Sequence, residues 1–240
     1  MDDRCEGCLK IGQIAPDFSA QSTYGPVSLS DYKGKWLVFF SHPGDFTPVC
    51  TTEFVAFAKE YSEFVKRNCL LLGLSIDSNP SHLAWIENIR RTQSVTIPFP
   101  ILADRDGAIA KRYGMLAADE KNFATVRNVY IIDPDSVIRA MLIYPATNGR
   151  YIPEILRLLD ALQMSTKEGV VTPANWKPGD PVLIPPPQNF DDLMKRSEDQ
   201  GLNCIEWYLC YKKEAPKPKP KPRMTINIDD LRLPPGPMDV

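Results

Sequence analysis

Apolar residues recur at intervals of three and four in the first third of the chain, with charged residues between them. This spacing predicts an amphipathic helix that begins near Cys50 and ends near Asn68. Unbroken apolar runs lie on either side of it, from Trp36 to Ser41 and from Leu70 to Ser75. Each run has the length and composition of a buried strand. The order strand, helix, strand predicts two parallel strands joined by a right-handed crossover.

Strand and helix patterns continue to alternate up to about Met164. Alternation of this kind predicts an α/β layer fold. The last helix of this part is expected to run from Ile152 to Gln163, because its apolar residues again recur at helical spacing.

The C-terminal third differs in composition. More than half of the 23 prolines lie after Ser165, so residues 172–188 are expected to run extended. A short helix is predicted over residues 190–200, and the alternating proline and lysine residues at 216–222 predict a stiff polyproline-like spacer. We therefore divide the chain into a domain of residues 1–165, a C-terminal arm of residues 166–214, and a linker and tail of residues 215–240.

The loop between the first buried strand and the helix carries the strongest candidate chemistry. It reads Pro43-Gly44-Asp45-Phe46-Thr47-Pro48-Val49-Cys50. Thr47 is a natural N-cap, because its hydroxyl can accept a hydrogen bond from a free N–H of the first turn. Pro48 then falls at the first helical position, where its fixed φ fits. Cys50 therefore lies in the first turn, where backbone N–H groups and the helix dipole favour a thiolate nucleophile.

The stretch from Pro43 to Glu53, PGDFTPVCTTE, closely resembles the active-site signature of peroxiredoxins. These are thiol peroxidases with a thioredoxin-like fold that use no metal and no other cofactor. The resemblance covers roughly residues 10–210, and the C-terminal extension is similar to the one-Cys branch. It is carried by IAPDF at 14–18, SID at 75–77, PFPILAD at 98–104, RNVYIID at 127–133 and YPATNGR at 144–150. It implies an α/β, thioredoxin-like fold with a proline-rich C-terminal extension.

The resemblance also implies roles for four residues. Cys50 would attack one oxygen of a peroxide, Thr47 would direct its hydroxyl to the sulfur or a bound oxygen, and Pro43 would shield the thiolate from water. The distant arginine of the family's site matches Arg127, at the start of an apolar strand. A guanidinium beside a sulfur stabilises the negative charge and offers fixed donors.

Three further residues are candidates for substrate binding. Glu53, in the second helical turn, either orients Arg127 or compensates the helix dipole. Arg150 is a second candidate arginine. His42 precedes the loop, where the one-Cys branch also has a histidine, and it either lines the pocket or is structural. The other histidine, His82, is expected to be exposed near a helix start.

The other cysteines bear on how the enzyme is restored. The sulfenic acid formed on Cys50 condenses with a nearby thiol to give a disulfide. Cys204 and Cys210 resemble a pair in archaeal members of the branch, where an arm cysteine of a neighbouring subunit resolves the sulfenic acid. Cys210 is the favoured resolving residue, because it lies nearer the proline spacer, and Cys204 is the alternative. Cys69 is expected to be inert packing.

Cys5 and Cys8 form a Cys-x-x-Cys near the N-terminus. The motif neither follows a predicted strand nor opens a helix, as thioredoxin-type redox motifs do. A zinc site would need two more ligands. Spare thiols in a mobile tail are the default interpretation, and no metal site is predicted.

Composition and resemblance together define the expected partners. The net charge of −2 and the pI near 5.8 indicate no nucleic-acid surface. No stretch has the length of a membrane span, and no signal peptide is recognisable, so a cytoplasmic location is expected. The resemblance implies hydroperoxide substrates, a thioredoxin-like or small-thiol reductant, and a homodimer or decameric ring. The alternative function is a high-order assembly acting as a holdase chaperone, which would not need a capped Cys50.

Overall fold

The computed structural model describes residues 9–118 and 124–212. The chain forms two compact units, and the division falls between Ile152 and Pro153. The first unit holds seven strands, three α-helices and one 3-10 turn, and the second holds two helices and a hairpin within the described residues. Among these residues, no helix combines the length and apolar character needed to span a bilayer.

The first unit is built on one mixed sheet. The elements in chain order are β1 (Ser19–Ser22), β2 (Gly25–Ser28), a 3-10 turn (Leu29–Tyr32), β3 (Trp36–Ser41), α1 (Pro48–Val65), β4 (Cys69–Ser75), α2 (Asn79–Gln93), β5 (Ile101–Ala103), α3 (Ala108–Arg112), β6 (Arg127–Ile132) and β7 (Ile138–Tyr144). The strand order in the sheet is β2-β1-β5-β4-β3-β6-β7. Strands β3, β4 and β5 are parallel, and their other neighbours pair antiparallel.

The predicted crossover of β3, α1 and β4 is confirmed, with Trp36 opposite Cys69 in a parallel register. Helix α1 is bounded by local sequence signals. It begins at Pro48 and ends at Val65, three residues before the expected end. Asn68 then adopts a left-handed φ of 52°, a conformation that asparagine tolerates well, and turns the chain into β4.

Aromatic packing fixes α1 on the sheet. Phe57 of α1 stacks on Phe40 of β3 with ring centroids 4.4 Å apart, and Phe54 contacts Phe99 at 5.6 Å. A Cβ added at Gly73 of β4 would lie 3.3 Å from Cζ of Phe54. The missing side chain therefore lets the helix approach the strand closely, and this helix positions Cys50.

The second unit begins with α4 (Ile152–Glu168), which is five residues longer than predicted. Its core joins Ala161 to Trp176 and Val182, and Arg157 donates a hydrogen bond to the Trp176 carbonyl at 2.9 Å. Residues 172–188, predicted to run extended, are irregular, with turns at 174–175 and 178–179, and a backbone bridge joins Val171 to Leu183.

Helix α5 (Phe190–Glu198) and the hairpin of β8 (Leu202–Glu206) and β9 (Leu209–Lys212) complete the second unit. The predicted short helix is therefore confirmed, ending two residues early. Asn189 caps it by accepting a hydrogen bond from the N–H of Asp192. The predicted spacer at 216–222 and the cysteine pair at 5 and 8 lie outside the described residues. The domain boundary at residue 165 stays a prediction.

Candidate active site

Cys50 is the third residue of α1 and is completely buried. Thr47 occupies the N-cap position with an extended backbone, and Pro48 takes the first helical position, as predicted. The expected side-chain cap is wrong. The Thr47 hydroxyl donates to the Gly44 carbonyl at 2.9 Å, which closes the loop on itself. Pro43 opens this loop and is partly buried.

Arg127 is the first residue of β6 and lies against the Cys50 sulfur. Strand β6 runs antiparallel to β3, so its start lies beside the carboxyl end of β3, where the loop leaves the sheet. Nη1 of Arg127 lies 3.3 Å from Sγ of Cys50 and 2.7 Å from Oε2 of Glu53. Its Nε and Nη2 both donate to the Ala146 carbonyl, at 3.1 and 2.7 Å. The guanidinium is therefore fixed on three sides.

Arg150 binds the carboxylate of Glu53 through three N–H groups. Its Nη2 donates to Oε2 at 2.6 Å, and its Nε and backbone N–H donate to Oε1 at 2.8 and 2.7 Å. Its Nη1 donates to the carbonyls of Ser41 and Asn128 at 2.9 and 3.1 Å. Arg150 thus ties α1 to β3 and β6.

Two opposing effects act on each partner of this ion pair. Burial alone would raise the pKa of Glu53, but the charge and hydrogen bonds of Arg150, with the charge of Arg127, hold it below its usual value. Burial lowers the pKa of Arg150, and Glu53 opposes that shift. The buried groups comprise two guanidiniums and one carboxylate. A thiolate at Cys50 brings the cluster to neutrality, which is the least costly state for buried charges.

His42 and His82 are both buried, and the expectation that His82 is exposed is wrong. His82 lies in the first turn of α2, with Nδ1 2.9 Å from Oδ2 of Asp45. Nε2 of His42 lies 3.0 Å from Oδ1 of the same carboxylate. The His42 ring stacks on Trp85, with centroids 5.2 Å apart. These contacts join α2 to the loop that precedes Cys50.

Sequence reasoning missed the part played by Asp45, His82 and Trp85. One signal was available, since His82 and Trp85 are three residues apart and therefore share a helix face. Within the described ranges, His42, Asp45 and His82 form a group that could offer metal ligands, with ligand atoms within 4.8 Å of one another.

The arm cysteines lie opposite each other in the β8–β9 hairpin and form a disulfide, Cys204–Cys210. Cys204 is exposed, whereas Cys210 is completely buried. Within this hairpin, Cys210 is therefore the less accessible of the two, and its role as the resolving cysteine stays a prediction. Trp207 and Tyr208, at the tip of the hairpin, are about half exposed on the single chain, at 52% and 55%.

Cys50 and Cys69 are the free thiols among the described residues. Cys69 is completely buried at the start of β4, and burial raises its thiol pKa far above the usual value. The expectation that Cys69 packs as an inert residue agrees with this environment.

Comparison with known families identifies both parts of the chain. The AhpC/TSA family matches residues 11–141, and the C-terminal domain of 1-Cys peroxiredoxin matches residues 161–200. Peroxiredoxin 2 of Caldanaerobacter subterraneus is 57% identical over 208 residues, covering 86% of this chain and 94% of the relative. The peroxiredoxin of Aquifex aeolicus is 50% identical over 215 residues, covering 85% and 96%.

Solved structures of two peroxiredoxins are similar to this chain in both sequence and fold. A yeast mitochondrial 1-Cys peroxiredoxin is 43% identical with a TM-score of 0.77, covering 85% of this chain and 99% of that one. Peroxiredoxin 6 of Arenicola marina is 34% identical with a TM-score of 0.79, covering 88% and 100%. The fold is therefore the thioredoxin-like fold that the resemblance implied. Since a family model covers more than half of the chain and these relatives match most of its length, it belongs to the peroxiredoxins, which are thiol-dependent peroxidases.

Proposed function

We propose that Cys50 is the peroxidatic nucleophile of this enzyme. The observation that carries the proposal is the 3.3 Å contact between its sulfur and Nη1 of Arg127, where both residues are buried. The thiolate attacks one oxygen of a hydroperoxide, the O–O bond breaks, and the departing oxygen takes up a proton to leave as water or an alcohol. Cys50 is oxidised to a sulfenic acid.

Arg127 and Thr47 have complementary tasks in this proposal. Arg127 holds its donors fixed on Glu53 and Ala146, so it can stabilise charge on the departing oxygen without reorganising. The Thr47 hydroxyl donates its hydrogen bond to the Gly44 carbonyl. Its oxygen is therefore left to accept a hydrogen bond from the peroxide. Pro43 limits access of water to the sulfur.

The other three candidates, Glu53, Arg150 and His42, act on Arg127 and on the loop before Cys50. Glu53 accepts from both Arg127 and Arg150, so it orients the two guanidiniums. Arg150 supports substrate binding by fixing Glu53. His42 contacts Asp45 of the loop and stacks on Trp85 of α2, so it links the loop to that helix.

The arm cysteines complete the cycle in this proposal. The Cys50 sulfenic acid condenses with one arm thiol of a second subunit, forming a disulfide and releasing water. The other arm thiol then attacks that disulfide, forms Cys204–Cys210, and returns Cys50 as a thiol. The Cys204–Cys210 disulfide supports this sequence, because it is the oxidised product. The place of Cys210 near the proline spacer favours it as the first resolving residue. The greater exposure of Cys204 favours Cys204 for that role instead.

An external thiol reductant must then reduce Cys204–Cys210, through one dithiol or two equivalents of a monothiol. The yeast mitochondrial relative is described as resolved through glutathione and thioredoxin systems. We extend that class of reductant, a thioredoxin-like protein or a small thiol, to this chain. Hydrogen peroxide and small organic hydroperoxides are the proposed substrates. The observations give no support to a holdase chaperone as the alternative.

Dimerisation, assembly into a decameric ring and a cytoplasmic location are also proposed. A dimer follows from resolution between subunits, and relatives from bacteria and archaea support the location. Light scattering of the purified protein measures the assembly directly.

Peroxide consumption with a thiol reductant tests the proposed nucleophile. Cys50→Ser should abolish consumption, whereas Cys69→Ser, which removes the other free buried thiol, should retain it. Consumption at the wild-type rate by Cys50→Ser would show that another residue performs the reaction.

A further inference from the structure

The chain contains only two histidines, and the fold brings both onto one carboxylate. His42 follows the last residue of β3 and His82 lies in α2, and both rings are completely buried. The Asp45 side chain between them is 1% exposed. Its Oδ1 lies 3.0 Å from both His42 Nε2 and His82 Nδ1, and its Oδ2 lies 2.9 Å from His82 Nδ1.

The partners of His82 fix where its protons are. Nε2 lies 3.1 Å from the Leu102 carbonyl, which can only accept, so Nε2 carries a proton. Nδ1 faces both oxygens of Asp45. A bare nitrogen there would direct its lone pair at a buried carboxylate, which is repulsive and is not relieved by water. Both ring nitrogens of His82 thus face acceptors, an arrangement that suits a doubly protonated ring paired with Asp45.

The contacts of His42 indicate a neutral ring with only one protonated nitrogen. Its Nε2 donates to Asp45, while its Nδ1 is buried and has no hydrogen-bond partner among the described residues. Burial is the main cause that lowers the pKa of His42, and the nearby His82 acts in the same direction. His42 is therefore neutral, with its proton on Nε2 and a lone pair on Nδ1.

Asp45 is also the anchor of the loop that carries Thr47 and leads to Cys50. Its backbone N–H donates to Oδ2 of Asp77 at 3.0 Å, so both its backbone and its side chain are held. The next residue, Phe46, has a φ of 54° and an exposed side chain. A left-handed phenylalanine is strained, and such strain persists only where neighbouring contacts impose it.

We propose that His82 is a positioning residue for the peroxidase reaction. It acts as a buried cation that keeps Asp45 ionised, fixes the His42 tautomer through that carboxylate, and so holds the Pro43–Cys50 loop in its reactive shape. This inference rests on the proposed role of Cys50 only for its kinetic readout. The protonation pattern can be measured whether or not Cys50 is the nucleophile.

A bound metal ion is the competing explanation for two histidines on one carboxylate, because the same three residues could offer ligands. The observed contacts favour protons. Both rings contact the Asp45 oxygens directly at 2.9–3.0 Å, the distance of a charge-assisted hydrogen bond. An elemental measurement on the purified protein separates the two explanations, and stoichiometric zinc or iron would overturn the proposal.

Nitrogen NMR of the histidine-labelled, untagged protein tests the protonation pattern in the wild type. Only two rings contribute to the spectrum, so the His82→Gln spectrum assigns both. Near neutral pH, three of the four ring nitrogens should carry protons and only Nδ1 of His42 should be bare. A bare nitrogen on His82, or a proton on Nδ1 of His42, would contradict the proposal.

The His82→Gln variant tests the positioning role. The titratable groups that face His42 are Asp45 in its own loop, Asp77 beyond β4, and His82 in α2. Removing the His82 charge should raise the pH at which Nδ1 of His42 takes up a proton. The rate of the peroxide step should fall about tenfold to a hundredfold and gain a new dependence on pH at that titration.

Trp85→Phe is a comparison on the same helix that keeps an aromatic ring against His42. It removes the hydrogen bond from Trp85 Nε1 to the Thr51 hydroxyl, a neutral contact between α2 and α1. It should leave the histidine protonation pattern unchanged. A shift of that pattern equal to the one in His82→Gln, or a His82→Gln rate within twofold of wild type at every pH, would show that His82 is only a packing residue.

Discussion

At the scale of single residues, the contact between Arg127 and Cys50 makes the sharpest prediction. Arg127→Lys keeps a positive charge but cannot hold the sulfur, Glu53 and the Ala146 carbonyl together, because it lacks the planar fork of donors. The rate of the peroxide step should fall by about 10²-fold, the usual cost of losing one fixed donor at a reacting oxygen. Stopped-flow measurement of Cys50 oxidation provides the rate.

Arg139→Lys is the control for this substitution. Arg139 lies on β7 and pairs with Asp133, away from the sulfur, and it is partly exposed. Its replacement should leave the rate unchanged. An Arg127→Lys rate near the wild-type value would contradict the assignment and direct attention to Arg150, the other buried arginine.

Glu53 makes a separate prediction about stability and pH. Its pKa is held below the usual value in the folded protein, so its charge stabilises the fold above the usual pKa of about 4.3. That contribution is lost as the pH falls through the folded-state pKa. Glu53→Gln removes the carboxylate that pairs with both buried guanidiniums and should cost ~3–5 kcal/mol in the free energy of unfolding at neutral pH.

Urea denaturation at a series of pH values measures this effect. The loss of stability between neutral and acidic pH should be smaller in Glu53→Gln than in the wild type. Glu87→Gln, which removes an exposed ion pair with Arg90, should leave the denaturation midpoint unchanged. Parallel pH profiles for the wild type and Glu53→Gln would show that this carboxylate is not linked to folding.

At the scale of elements, the approach of α1 to β4 depends on Gly73. A Cβ there would lie 3.3 Å from Phe54 and 3.6 Å from Ile101. Gly73→Ala should therefore destabilise the protein by ~1–3 kcal/mol through overpacking. Because Phe54 is on α1 one turn after Cys50, the peroxide rate should fall as well. Calorimetry and stopped-flow measurement test the two effects.

A second substitution distinguishes this mechanism from a general loss of strand stability. Phe54→Leu shortens the side chain that the new methyl group would meet. The double variant Gly73→Ala with Phe54→Leu should be less destabilised than the sum of its two single variants. Simple additivity would show that contact with Phe54 is not the cause.

The elements also show which features could be predicted from sequence. The N-cap position of Thr47, the proline after it and the position of Cys50 depend on neighbouring residues, so the local pattern was sufficient to predict them. The shared carboxylate of Asp45 was not predictable in this way. His82 lies 37 residues beyond Asp45, and only the packing of α2 brings them together. The Thr47 hydroxyl was misassigned because the Gly44 carbonyl competes with the helix N–H groups for it.

At the scale of the whole molecule, the Cys204–Cys210 disulfide changes what the peroxide reaction should leave behind. In the wild type, a bond between Cys50 and the arm of a second subunit is transient, because the remaining arm thiol displaces Cys50. After one equivalent of peroxide, a non-reducing gel should therefore show mainly monomer. Mass spectrometry should find Cys204 linked to Cys210 and Cys50 free.

Single substitutions should trap the transient bond. Cys204→Ser and Cys210→Ser each remove one arm thiol, so the variant that retains the resolving cysteine should accumulate a covalent dimer linked through Cys50. The exposure of Cys204 and the burial of Cys210 favour the dimer in Cys210→Ser. The double serine variant should give no dimer, and Cys69→Ser should behave like the wild type. If neither single variant forms a covalent dimer, the arm of a second subunit does not resolve Cys50. An external thiol would then have to reduce the sulfenic acid directly.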